Sequence, residues 1–363
     1  EGEFHLTAYD CETGKIVGQA TRWTLACKEP PRTLFHAEGA YGIAADDRYV
    51  YGGGLYKTVE GRKGNTVYYN IVWRCDLDLN NADFEGGEGV GNMLKLSSRK
   101  AFMFPKAHGH DEMSKVSGMA VHGGELFVSD PAARKIHVIR TADMTILEER
   151  GIPFEHPGWM TVDRDGFLWV VDRDANTVKK VTRGKDAAPG RFTGIEIKDL
   201  KVPTDLCVNG KGHLVICDNG IERQQIRTYS TEGKLIRSFG HPAYGLVGDD
   251  AFFGVTGVDV DERGNLFVAT HGVPGNRYVD FFHGRVGRGA ELHKQRPDGR
   301  REWSLQSLEF VTVGDLDPGS KTDYFTTENW ITLDYDQPSV GGTRQKHRTP
   351  KANTPDLVRF TSK

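Results

Sequence analysis

One short pattern recurs four times along this chain and restricts the folds open to it. It first reads Val116-Ser-Gly-Met-Ala-Val-His-Gly-Gly-Glu-Leu-Phe-Val-Ser-Asp130, and it returns over residues 157–172, 203–218 and 255–270. Each copy is an apolar run, a turn containing glycine, a second run rich in Val, Leu and aromatics, and a closing Asp or Thr. Indexed on Asp130, Asp172, Asp218 and Thr270, the steps are 42, 46 and 52 residues. A period of this length built from strand-type segments alone predicts an all-β chain, a β-propeller with one blade per repeat.

The pattern extends beyond the four clear copies. A longer version opens at 41–54 and carries insertions at 57–65 and 80–92; a degenerate one lies at 327–336, followed by a strand at 356–360. Residues 5–17 read as a hairpin with a turn at 12–14, resembling the outer strands of a blade. Outer strands at one end and inner strands at the other let a ring close, which removes exposed sheet edges. The expectation is one domain over 1–363 with six blades, seven remaining open. The blades run about 39–104, 115–150, 157–200, 203–239 and 254–312, with a closing blade from 322–361 plus 4–27. Second strands such as 167–171 are continuously apolar rather than alternating, as expected for blades stacked on both faces.

The chain has 363 residues, a formal charge of −3 and 44 glycines, which suit many tight hairpins. That charge gives no general pull toward nucleic acid or anionic membrane, and no apolar run reaches the ~18–20 residues of a membrane span. The opening Glu1-Gly2-Glu3-Phe4 has neither a basic start nor an apolar core, so no signal peptide is read there. An extracellular or periplasmic location is the expectation. Of the five cysteines, Cys11 and Cys27 are near enough in sequence for neighbouring strands to bring them together, bridged or not; Cys207 and Cys217 flank one hairpin and read as buried thiols. No Cys-x-x-Cys-His is present, so no haem is expected. The Gly-rich 84–92 lacks the Lys-Ser/Thr and following helix of a phosphate cradle, so no nucleotide cofactor is expected.

The repeat, a strand and turn followed by Gly-x-Leu-x-Val-x-Asp, resembles the NHL-repeat propellers and the related SMP-30/gluconolactonase-like propellers over about 39–335. The resemblance implies the fold and a range of roles: lactonase, lyase or scaffold. In the lactonases a divalent metal sits on the propeller axis, held by an early Glu and later Asn and Asp residues. Where they carry Pro-Asn-Gly this chain has Pro203-Thr204-Asp205, and their early Glu-Gly-Pro-x-Trp has only the echo Glu38-Gly39-Ala40-Tyr41.

In a propeller, the loops entering the innermost strands and those leaving the second strands share one rim. Here they carry Glu38, His108, His110, Asp111, Glu155, His156, Asp172, Arg173, Asp218, Asn219, His241, His271 and Arg277. His108 and His110 beside Asp111 form a candidate site for one divalent metal, zinc or calcium. His108, His156 or His271 would suit a general base, with Arg173 or Arg277 neutralising a substrate carboxylate. Glu38, Glu155, Asp172, Asp218, Asn219 and His241 are candidate ligand contacts. The recurrence of Asp130, Asp172 and Asp218 at one repeat position also suits turn capping. Two basic stretches, 283–301 and 344–351, read as solvated insertions without the interleaved aromatics of a nucleic-acid surface.

Two functions follow. One is binding or processing of a small polar or saccharide ligand at the channel mouth, with metal-assisted hydrolase or lyase chemistry as its catalytic form. The other is a non-catalytic module that contacts protein partners through blade edges and insertions.

Overall fold

A computed structural model describes residues 5–21, 42–60, 65–86, 93–99, 116–242, 249–271, 290–307, 311–316, 323–328, 332–339, 342–346 and 358–359. Among them there is no α-helix, only one 3-10 turn at Glu148–Arg150, and no helix long and apolar enough to cross a membrane. The chain is an all-β propeller.

Five blades are built from strands consecutive in sequence, four in each except the second, where Thr145–Ile146 and Ile152–Pro153 both pair with Lys135–Arg140. Their innermost strands are Gly42–Ala45, Met119–His122, Pro157–Val162, Pro203–Val208 and Val255–Val260. Each pairs antiparallel with a second strand that ends at the same edge, as in Pro157 opposite Asp172 and Pro203 opposite Asp218. A further four-stranded sheet is drawn from both ends of the sequence. Val311–Leu316 and Asp323–Glu328 form its inner half, and His5–Asp10 and Ile16–Thr21 its outer half. Its innermost strand lies between those of the fifth and first blades, which touch it on either side.

The C-terminal region differs from the sequence expectation. The degenerate copy at 327–336 does not supply the inner hairpin of the end-built sheet; Thr332–Ser339 instead pairs with Gly342–Lys346 in a separate hairpin. Val358–Arg359 adds a fifth strand outside Arg301–Ser307 of the fifth blade. Local apolar rhythm identifies a strand without naming its partner, and in the end-built sheet His5 pairs with the distant Glu328.

Blade packing explains the apolar second strands. Leu168–Asp172 and Leu214–Asp218 are buried along their whole length. Trp169, Val171, Leu206, Leu214 and Ile216 form one cluster between the third and fourth blades. Two residues of the basic stretch 283–301 are not solvated. Lys294 is fully buried, 2.8 Å from Glu12 of the end-built sheet and 3.2 Å from Glu302, and Arg301 bonds Glu291 at 2.6 Å.

Candidate functional site

The innermost strands have no sheet partner on their axial side, so they wall the central channel. Adjacent ones are tied together near their entry ends. Ser117 Oγ donates to the Pro157 carbonyl at 3.2 Å, and Thr204 Oγ1 donates to the Val255 carbonyl at 2.9 Å. Ser129 Oγ also donates to the Gly158 carbonyl. The next repeat position is occupied in successive blades by Gly118, Trp159, Asp205 and Gly257. In the third, fourth and fifth blades the pairing register shifts next to this position, the irregularity of a β-bulge, which re-aims a side chain.

Asp205 is the unusual member of that set. Its Oδ2 accepts a hydrogen bond from Val258 N of the fifth blade, and its Oδ1 one from Leu206 N, both at 2.9 Å. No cation pairs with it among the described residues. The residue is half-buried. Burial pushes its carboxyl up to about 8, against the two backbone hydrogen bonds, and the neighbouring Asp259 carboxylate adds to the rise. At neutral pH it is therefore mostly a neutral acid, able both to donate and to accept. The glycine at 257 leaves it room: a Cβ there would lie 3.6 Å from Asp205 Oδ2.

Trp159, on the adjacent innermost strand, is half-buried against the cluster between the third and fourth blades. Its indole Nε1 meets no hydrogen-bond partner among the described residues. The buried Arg173 guanidinium lies 5.8 Å from the centre of its ring, a cation–π distance. Trp159 and Asp205 thus stand at equivalent positions of adjacent innermost strands, with the indole N–H itself buried.

The rim residues read from sequence have varied surroundings. Asp172 accepts from the backbone N–H of Asp174 and Ala175 and lies 2.6 Å from Lys179 Nζ. Asp218 is fully buried; its Oδ1 accepts from Val202 N, Lys201 N and Gly220 N, and its Oδ2 from Arg223. Asn219 is also buried and accepts from Gln224 Nε2 through both its carbonyl and side-chain oxygens. Gln224 in turn accepts from Gly254 N and Val255 N, bracing the entry to the fifth blade. Glu155 is exposed and pairs with Arg134 at 3.0 Å. The half-buried His156 offers its backbone carbonyl to Arg173 N. His241 is exposed, 3.6 Å from Asp250. His271 ends the second strand of the fifth blade, and its side chain is outside the description. Glu38, His108, His110, Asp111 and Arg277 lie outside the described residues, as does Cys27 of the Cys11–Cys27 pairing.

Asp130 shows how one repeat position acquires different chemistry. Its buried carboxylate accepts from Asn70 Nδ2, Ser97 Oγ and Ala133 N and meets His137 Nε2 at 3.0 Å. Burial works to raise its pKa, yet the hydrogen bonds from His137, Ser97 and Asn70 prevail and hold it below the usual carboxylate range. Ser97 and His137 both bond the carboxylate, an arrangement unlike a nucleophile–base pair.

Among the described residues no three His, Cys, Asp or Glu side chains converge as a metal-ligand set. The candidate ligands His108, His110 and Asp111 lie outside that description.

No protein-family model matches the sequence, and no curated protein matches it. Similar solved structures include a protein of unknown function from Bacteroides caccae at 12% identity, covering 85% of this chain and 94% of that one with a TM-score of 0.48. A streptogramin B lyase aligns at 11% identity over 90% and 97% of the two chains, TM-score 0.46. Virginiamycin B lyase from Staphylococcus aureus aligns at 13% identity over 90% and 99%, TM-score 0.45. At identities this low, nothing of their activities passes to this chain.

Proposed function

We propose that this chain is a six-bladed propeller that binds a small, neutral, polar ligand of carbohydrate type on its channel axis, with Asp205 as the principal polar contact. The ring count is supported by the contacts of the end-built sheet with both the first and fifth blades. The observation that carries the ligand reading is the Asp205 carboxyl, held by two backbone N–H groups with no cation partner among the described residues, on the innermost strand next to that of Trp159. A concave apolar wall with a few convergent polar groups and a perturbed acid is the usual form of a binding site. An indole face beside a donor–acceptor carboxyl matches a sugar, which offers both C–H faces and hydroxyls. As the catalytic form of this reading, the same acid would protonate a leaving oxygen in a hydrolase or lyase reaction.

Calorimetric titration with neutral monosaccharides, oligosaccharides, sugar lactones and uronides tests this reading. A neutral member is expected to bind, with affinity falling as pH rises through about 8, where Asp205 ionises. Asp205→Ala should weaken that binding at least tenfold, the ~1.4 kcal/mol of one lost hydrogen bond to a buried partner. Equal affinity in the variant, or tightest binding at high pH, would remove Asp205 from the site.

One observation favours the second reading, a contact module. Phe192, Leu235 and Ile236 are about half exposed on the outer strands of the third and fourth blades, and such apolar edges invite pairing. Sedimentation across a concentration series tests it: a monomer throughout leaves self-association without support.

A further inference from the structure

His293 lies in Ala290–Gln295, the third strand of the fifth blade, and is fully buried. Its imidazole stacks on Phe252 with ring centres 5.7 Å apart and planes 10° from parallel. Phe252 belongs to the short segment Ala251–Phe252, which pairs with His241–Pro242 and leads into the innermost strand Val255–Val260. On its other side Phe252 meets Phe239 of the fourth blade edge to face. His293 therefore holds the connection between two blades through one aromatic contact.

The charges facing this imidazole come from three elements. Glu291, on its own strand, places Oε2 3.6 Å from His293 Nδ1. That carboxylate is already engaged by Arg301 of the next strand at 2.6 Å. Asp249, from the connection, is a weaker influence and accepts from Arg301 N at 3.2 Å. His293 Nε2 meets no hydrogen-bond partner among the described residues. A proton added there would place an N–H⁺ in a closed, apolar contact with no acceptor, an arrangement costly enough to favour exposure. Burial accordingly holds the imidazole below its ordinary value of 6.5, against the pull of Glu291.

We propose that His293 is a proton-sensitive latch: one proton on its imidazole opens the Phe252 contact and loosens the 249–258 connection. The closed form resists the proton that the open form accepts at the ordinary histidine value. Closure is thus fully stabilised above about pH 6.5 and is lost as pH falls below it, by up to about tenfold in the opening equilibrium per pH unit. Glu291, bonded by Arg301 at 2.6 Å, stays ionised through this window, and Arg301 stays charged throughout. The same segment carries Val258, which bonds Asp205, so acid would loosen one wall of the channel even if the ligand reading fails.

Amide exchange, expressed as protection factors between pH 7.5 and 5, tests the latch. Protection within 251–258 should fall up to about tenfold per pH unit below 6.5 in the wild type. It should stay flat in His293→Phe, which keeps the stack but cannot titrate, and amides of Leu168–Asp172 should hold steady in both. An equal fall in His293→Phe, a fall shared by every blade, or no fall in the wild type would overturn the proposal. The wild-type imidazole resonance, assigned through its contact with Phe252, gives a second reading that needs no variant. It should remain that of a neutral ring well below pH 6.5, and titration at the ordinary value would equally overturn the latch.

Discussion

Asp205→Asn is expected to gain stability over the wild type steadily as pH rises from about 4 to about 8. The wild-type carboxyl ionises at about 3.8 when unfolded and at about 8 when folded. Between those values the native state keeps a proton that the unfolded chain releases. A group whose folded value is raised stabilises the fold below its unfolded value and loses that contribution as pH rises through the folded one. The loss is about 1.4 kcal/mol per pH unit, which over this window amounts to on the order of 6 kcal/mol. Asparagine does not titrate and removes the slope. It also replaces one acceptor by a donor, leaving either Val258 N or Leu206 N facing an amide group, at a cost of about 1–3 kcal/mol. That cost is independent of pH, so it displaces the curve without changing its slope. Carboxylates held down, such as Glu291 and Asp130, act below this window and are common to both proteins. Paired urea unfolding curves at unit pH intervals check the result, and parallel curves would show that Asp205 is ionised in the fold. A gain in stability accompanied by loss of ligand would mark Asp205 as a group retained for function at the expense of the fold.

Gly118→Ala should destabilise the protein by about 3 kcal/mol or more, while Gly257→Ala, at the equivalent position, should cost within about 1 kcal/mol. A Cβ at Gly118 would clash with the Gly158 carbonyl oxygen and lie 2.5 Å from Trp159 Cα, both backbone atoms of the next innermost strand. Backbone cannot swing aside as a side chain does, so the second and third blades would have to separate. At Gly257 the nearest atom is the Ala269 Cβ at 3.3 Å, and the Asp205 carboxylate oxygen follows at 3.6 Å. That methyl fits with a small adjustment by Ala269 and meets the carboxyl at ordinary contact distance. Chemical unfolding followed by tryptophan fluorescence separates the two, and equal costs would contradict the close approach of the innermost strands near Gly118.

The repeat made four of the sequence-contiguous blades legible, because each brings its strands, turn glycine and closing Asp or Thr within about fifty residues, and the longer copy at 41–54 marked the other. The end-built sheet was legible only in principle. His5 pairs with Glu328, and no local pattern encodes so distant a partner, so 327–336 was read as inner strands while Val311–Leu316 passed unnoticed. The candidate site was less legible still. Asp130, Asp172 and Asp218 share one repeat position, but histidine, lysine or backbone amides meet them according to what the neighbouring strands supply. Asp205 was visible in sequence only as part of a departure, Pro203-Thr204-Asp205 where the lactonases carry Pro-Asn-Gly. Its raised pKa was not, since it comes from enclosure by the fifth blade.

The most direct test of this account is the ionisation of Asp205 itself, followed by carbon NMR of the protein labelled at aspartate Cγ and assigned by the signal missing from Asp205→Asn. The account predicts one aspartate that stays protonated at neutral pH and titrates near pH 8, with a response to the bound saccharide. An Asp205 signal that titrates in the ordinary range near pH 4 would contradict it, removing the neutral acid on which the proposed binding rests.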